Sequence, residues 1–207
     1  MNNNYDRVAG FYDSLSKLVF GNALMQAQRS MLHKIPAHSK ILIVGGGTGA
    51  MMEEIAKLHP SGLSITYVEI SEKMIALARQ RNVGQNRVEF VHAAIEDYRT
   101  GQTFDVIITA FLFDNFKQEK AELVFNVLNK LLSPKGHWLL ADFYIDPKKL
   151  WQKWLLRSMY LFFNILSNVE TNQLPETERL FHSNGYQTVF QQFSFGRFIH
   201  SNVYQKP

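Results

Sequence analysis

Short apolar runs along this chain alternate with stretches whose apolar positions recur every three or four residues. The clearest run is Ile41–Val44, four apolar residues that lead straight into Gly45, Gly46, Gly47, Thr48 and Gly49. Met51, Met52, Ile55 and Leu58 follow at helical spacing. Run, glycine turn and helix together predict a buried parallel strand that delivers the chain into a ligand-holding loop. Thr48 is the expected cap of the helix beginning near Gly49. The glycines let main chain approach a ligand closely, and a helix N-terminus beside them suits a nucleotide or a carboxylate.

The same alternation continues on both sides. A helix is expected over residues 22–34, closed by Pro36. Leu63–Val68 alternates as a second strand ending at Glu69. Ser71 is placed to cap a helix over 72–81 that points Met74, Ile75 and Ala78 inward. Val88–Val91 reads as a third strand, and Phe104–Thr109, nearly all apolar, as a central fourth. A helix over about 119–132, a turn at 133–136 and a strand over His137–Asp142 complete the series. Strand and helix in strict alternation argue a parallel sheet with helices on both faces. The ending differs: a long helix over 148–167, a short one over 175–182, then Tyr186–Phe195 and Phe198–Gln205 flanking Gly196 and Arg197 as an antiparallel hairpin. The predicted class is α/β, a Rossmann-like three-layer sandwich whose mostly parallel seven-stranded sheet ends in a C-terminal antiparallel hairpin.

Composition narrows the function without naming it. At 207 residues and 46% apolar, the chain suits one well-packed domain. A net charge of +4 without a Lys/Arg block does not imply nucleic acid, but allows weak attraction to anionic lipid. The absence of cysteine excludes disulfides, thiolate metal sites and a Cys nucleophile. The seven histidines are scattered, with no pair at metal-ligand spacing on a helix face, so no metal is expected. The first residues are polar and carry no signal-peptide core, so a cytoplasmic location is expected, membrane-peripheral if 148–166 contacts lipid.

Two readings compete at the glycines. Gly45, Gly47 and Ala50 fit a dinucleotide fingerprint, with Glu69 about twenty residues on for a ribose. Against a dehydrogenase stand the hairpin ending and the lack of a second mononucleotide half or a Tyr-x-x-x-Lys pair. Several blocks together are more specific: ILIVGGGTG, YVEISEKMIALAR, VEFVHAAIEDY, FDVIITAFLFDNF and LLSPKGHWLLADF, in that order from about residue 38 to 143. This set resembles the class I S-adenosylmethionine-dependent methyltransferases, and within them the ubiquinone/menaquinone-biosynthesis type. The opening YDRVAGFYD and the final hairpin extend the likeness over nearly the whole chain.

That resemblance implies a single methyltransferase domain over 1–207, with residues 1–36 as an N-terminal helical lid and 148–183 as a helical insertion before the hairpin. It implies S-adenosylmethionine as cofactor, with Gly45, Gly46 and Gly47 along its methionine part. Glu69 would take the ribose hydroxyls, Ile70 and Met74 would pack the adenine, and Ala94 and Ile95 would lie along the adenine edge. Thr109 and Ala110 would lie beneath the sulfonium, and Tyr12 would be the aromatic of the lid. The family pattern departs at two places. Ile43 stands where an acidic residue usually precedes the loop, and Ala94 where an Asp usually meets the adenine. Losing two hydrogen-bond sites would weaken cofactor affinity by roughly 1–3 kcal/mol unless Glu96 or Asp97 compensates. These departures motivate an alternative, a non-catalytic descendant of the fold that serves in binding or assembly.

Methyl transfer from a sulfonium depends largely on positioning, so no triad is required. An oxygen or carbon acceptor still benefits from a base. Asp114 and Asp142 both fall at the carboxyl edge of the sheet, as catalytic candidates or as capping residues. Tyr5, Phe113 and Tyr144 are candidates to border a small apolar or aromatic acceptor, quinone-like or lipid. The segment 148–166 carries apolar residues all around its helix, with Lys148, Lys149, Lys153 and Arg157 among them. It is too short and interrupted to span a bilayer. A cap over an apolar pocket, a membrane contact, a homodimer face and plain burial all remain open for it.

Overall fold

The computed structural model describes residues 17–167 and 173–207. Strands β1 (Lys40–Val44), β2 (Ser61–Glu69), β3 (Gln85–His92), β4 (Phe104–Ala110), β5 (Leu132–Phe143), β6 (Gln187–Ser194) and β7 (Ile199–Gln205) form one sheet in the order β3-β2-β1-β4-β5-β7-β6. Pairing is parallel from β3 to β5 and antiparallel where β7 meets β5 and β6. The expected mixed sheet and terminal hairpin are both present.

Residue parity along the strands sorts the core into two layers. Leu42 and Val44 of β1, Ile107 of β4 and Trp138 and Leu140 of β5 face one side, against Val124, Phe125 and Leu128 of α4 (Gln118–Leu131). Phe181, on the short helix α6 (Thr177–Ser183), joins that layer and stacks on Tyr204 of β7, with ring centroids 3.9 Å apart. Ile41, Ile43, Val106, Ile108 and Leu139 face the other side. There they meet Met31 of α1 (Ala23–Met31), Met51, Met52 and Ile55 of α2 (Ala50–Leu58), and Ala78 of α3 (Glu72–Ala78). Alternating side-chain direction makes a run such as Ile41–Val44 apolar at every position, because both faces are covered.

Several local expectations shift on contact with the tertiary structure. Ser71 caps α3 as expected, its hydroxyl accepting the Met74 N–H at 3.2 Å. Thr48 does not cap α2; Gly49 holds that position, at φ +77°. The Thr48 hydroxyl and carbonyl accept from the Arg81 guanidinium instead, at 3.1 and 2.9 Å. A Cβ at residue 49 would lie 2.8 Å from that of Ala78, so a glycine there serves both the left-handed turn and the close approach of α2 to α3. Strand β5 starts at Leu132, not at His137: Phe104 pairs with Leu132 and Val106 with His137, so residues 133–136 form a bulge. The long helix α5 spans Leu150–Ser167.

Candidate functional site

The strand order reverses between β1 and β4, and ligands in open α/β sheets bind beyond the carboxyl ends of the strands at such a point. A cavity of about 740 Å³ lies there. Its volume is within the usual range for cofactor and drug-sized ligands.

One arm of the cavity is built from strand ends and main chain. Gly45, Gly46 and Gly47 leave β1, Glu69 and Ile70 leave β2, and Ala94 and Ile95 follow β3; Met74 of α3 closes the floor, and all of them line the space. The loop is held by side chains from β2. The Tyr67 hydroxyl donates to the Gly47 carbonyl at 2.8 Å, and a Cβ on Gly46 would fall 2.5 Å from the Tyr67 ring. Gly47 has φ +61° and faces open space, so main chain rather than a side chain meets whatever enters. Glu69 is 6% exposed. Its two carboxylate oxygens accept the Ser71 N–H at 3.0 Å and the Gly47 N–H at 3.1 Å. Burial pushes its carboxyl above the ordinary range, while N–H donors from Ser71, Gly47 and Ile70 oppose that shift. An ionised carboxylate accepts about four hydrogen bonds, so acceptor capacity remains on the cavity side.

The two departures from the family pattern have clear surroundings. Ile43 is fully buried in the apolar layer beneath α1 and α2, where an acid would meet only hydrocarbon. On the cavity side of that region the acids are Glu53 and Glu54 of α2. Glu54 is bound by Arg29 at 2.6 Å and Lys57 at 2.7 Å, and the Arg29 hydrogen bond holds it below the ordinary carboxylate range. Near Ala94, Glu96 lines the cavity and pairs with Lys120 at 2.9 Å. Asp97 does not line it.

The other arm is built from side chains. Leu24, Met25 and Gln28 of α1, Phe111, Leu112 and Asn115 after β4, Phe143 ending β5, and Leu155, Ser158 and Met159 of α5 all line it. Phe111 sits at φ +53°, held by its N–H to the Ala141 carbonyl at 2.8 Å and by the Asn115 amide to its own carbonyl at 3.0 Å. Such a conformation is costly for a bulky residue and concentrates at ligand sites.

Asp114 opens onto this arm and accepts from the Asn115 amide at 2.9 Å. Burial raises its carboxyl to about 7. Asp142 lies behind it, 3% exposed, with one oxygen accepting the Phe143 N–H at 2.8 Å and the other without a partner. Burial first, and the neighbouring Asp114 carboxylate second, raise Asp142 well above the carboxylate range. The Tyr160 hydroxyl donates to the Asp114 carbonyl at 3.2 Å, and burial keeps it protonated.

The expected site residues thus divide. Gly45, Gly46, Gly47, Glu69, Ile70, Met74, Ala94, Ile95, Ala110 and Asp114 line one cavity. Thr109, Phe113, Asp142 and Tyr144 do not, and strand parity or packing gives the reason in each case. Thr109 is buried with its hydroxyl accepting from the Trp138 indole at 2.9 Å. Phe113 is fully buried against Trp138 and Phe116. Tyr144 packs on Phe193 and His200. Tyr5 and Tyr12 lie outside the described residues. A lid from 1–36 and a cap from 148–166 were among the expectations, but the individual lining residues of α1 and α5 were not named, since helical periodicity alone does not tell a face packed on the sheet from one turned to a cavity.

The methyltransferase domain family matches residues 41–136. The chain is 30% identical over 149 residues to the demethylmenaquinone methyltransferase of Clavibacter sepedonicus, covering 70% of this chain and 59% of that protein. It is 28% identical over 145 residues to the ubiquinone/menaquinone biosynthesis C-methyltransferase UbiE of Geotalea daltonii, covering 67% of this chain and 61% of that one. It therefore spans about three-fifths of the length of these relatives. The N-methyltransferase NodS of Bradyrhizobium japonicum, solved with S-adenosyl-L-homocysteine, shares the fold at a TM-score of 0.64 and 17% identity, over 89% of this chain and 85% of that one. Sequence blocks, sheet order and family match agree: residues 41–136 carry a methyltransferase domain, and the chain is similar to the class I S-adenosylmethionine-dependent methyltransferases, those of the ubiquinone/menaquinone type among them.

Proposed function

We propose that this chain transfers a methyl group from S-adenosylmethionine to a small apolar or aromatic acceptor, of the quinone-like or lipid kind. The observation that carries the reading is the pairing of the two arms in one cavity. A buried glutamate with acceptor capacity stands beside a glycine loop, and an aromatic chamber with one titratable acid stands opposite. The residues present fit the cofactor: Glu69 for the two ribose hydroxyls, Met74 and Ile70 for the adenine, and the Gly45–Gly47 main chain for the methionine part. When bound, S-adenosylmethionine supplies an electrophilic methyl on a sulfonium.

The chain's part is to orient the acceptor, exclude water and move a proton. Phe111, Phe143, Leu155 and Met159 offer a dry wall to a flat or greasy acceptor. Asp114, with its carboxyl near 7, takes the proton of an acceptor hydroxyl or activated ring carbon. Asp142 behind it, raised by burial and then by the Asp114 carboxylate, favours its protonated form and so leaves Asp114 the readier of the pair to ionise. We read residues 1–36 as the lid of this site, of which α1 contributes Leu24, Met25 and Gln28, and 148–183 as the insertion that closes the acceptor arm. Among the described residues no helix is long and apolar enough to cross a membrane. For the outer side of α5 we favour a lipid surface over a second copy of the chain.

The test is calorimetric titration of S-adenosylhomocysteine, followed by transfer of labelled methyl to a hydroquinone bearing an isoprenoid tail. Micromolar binding and labelled product are expected. Binding without transfer to any apolar ring would point to another acceptor class; silence of the titration would favour the non-catalytic alternative.

A further inference from the structure

Helix α5 presents three different faces. Gln152, Leu156 and Tyr160, four residues apart, are buried inward. Leu155 and Met159 form a flank that lines the acceptor arm of the cavity. Leu150, Trp154 and Leu161 recur at i, i+4 and i+11 on the opposite side and are 68%, 70% and 67% exposed. Arg157 completes that outer stripe at i+7, and Lys153 is exposed beside it. From residue 147 to residue 167 the chain has no Asp or Glu. Large apolar side chains kept in water, flanked only by cations, are the composition of a helix that lies in a bilayer interface.

We propose that the outer face of α5 docks this protein on an anionic lipid surface, and that the acceptor reaches the cavity from that surface. Charge complementarity selects the occupant. A second copy would bring the same cations face to face, whereas phosphate headgroups would take them up while Trp154 settles at headgroup depth. Continuity with the site supplies the second argument. Leu155 and Met159 lie on the same helix as the stripe, so the wall of the acceptor arm and the docking face are one rigid element. Val19 is an exposed apolar residue that also lines the cavity, and its neighbour Leu18 is exposed as well. An apolar molecule leaving lipid beside α5 would thus pass over apolar side chains into the acceptor arm. The acceptor-entry half of this inference rests on the methyltransferase reading; the docking half does not.

The test is sedimentation of the full chain with vesicles of phosphatidylglycerol and phosphatidylcholine, and with phosphatidylcholine alone. Wild type is expected to pellet with the mixed vesicles, weakly with the neutral ones, and to be released as salt rises from about 0.1 to about 0.5 M. The double substitution Trp154→Glu, Leu161→Glu should reduce pelleting about tenfold or more. Its circular dichroism and S-adenosylhomocysteine affinity should stay at wild-type values, because neither residue lines the cavity. Equal pelleting of wild type and variant would overturn the proposal. So would absence of vesicle binding together with a dimer, in analytical ultracentrifugation, that the substitutions dissolve. Vesicle binding in a protein that binds no S-adenosylhomocysteine would sink the methyltransferase reading and leave the docking face standing.

Discussion

The two arms of the cavity are made of different materials. The arm at the glycine loop is mostly main chain at strand ends, fixed by the register of β1 with β2 and β4. Its shape follows from topology, and one side chain, Glu69, adds the polar grip. The acceptor arm is side chains contributed by α1, the residues after β4 and α5, elements held to the sheet mainly by side-chain packing, with a few hydrogen bonds such as Phe111 N–H to the Ala141 carbonyl and the Ser201 hydroxyl to the Ala27 carbonyl. An invariant ligand can be met by main chain, because main chain carries the same groups in every sequence. A variable ligand calls for side chains, which can be exchanged without moving a strand.

The sharpest way to break this contrast is at the acid of the acceptor arm. Asp114→Asn should lower the methyl-transfer rate by about 10²- to 10⁴-fold while leaving S-adenosylhomocysteine affinity unchanged. The base must be ionised to act, so the wild-type rate should climb as pH rises through about 7 and then level. The variant should lose that limb; a variant with an unaltered pH profile would remove Asp114 from the chemistry. Glu69→Ala probes the opposite arm. Losing two charge-assisted hydrogen bonds, about 3 kcal/mol or more together, should weaken S-adenosylhomocysteine binding roughly a hundredfold in calorimetry. Glu69→Gln should recover part of it, since the amide oxygen still accepts from one loop N–H.

A third substitution tests whether the main-chain arm is held as described. In Gly46→Ala the new methyl collides with the buried Tyr67 ring, and moving the ring breaks its bond to the Gly47 carbonyl. A cost of about 1–3 kcal/mol is expected from such overpacking, seen as a lower Tm together with weaker cofactor binding. A shift in Tm alone would mean that the Tyr67 bond does not shape the loop.

The same contrast explains what the sequence made legible. The run Ile41–Val44, the glycines and the Ser71 cap are local signals, and the loop of the main-chain arm could be read from them, whereas Ile70, Met74, Ala94 and Ile95 were expected only through the family resemblance. Thr48 misled because Arg81, 33 residues on, claims its hydroxyl. Asp142 and Phe143 are neighbours at the same strand end, and of the two only Asp142 was expected over the edge of the sheet. Parity sends Asp142 to the side of Trp138 and Leu140, under the helices, and Phe143 to the cavity. A one-residue difference decides this, and only the finished register shows it. Phe111 and Asn115 went unnoticed for a similar reason. Nothing in the local pattern announces a left-handed phenylalanine held by an asparagine four residues later.

The smallest effect tests the buried acid itself. Asp142 is raised by burial and by Asp114, so its protonated form is favoured in the folded chain. A carboxyl whose folded pKa lies above its unfolded value binds more protons when folded, and stability then falls as pH rises above the ordinary carboxyl range. Asp142→Asn keeps an oxygen for the Phe143 N–H and removes the ionisable group. The variant should therefore be more thermostable than wild type at pH 8, with the gap narrowing as pH falls and closing only below about 4, where Asp142 carries its proton in the folded and the unfolded chain alike. Were Asp142 ionised and held by a compensating partner, the substitution would destabilise the fold instead, most of all at high pH. The sign of the Tm difference at pH 8 separates the two, and with them the question of whether Asp142 leaves Asp114 as the working base.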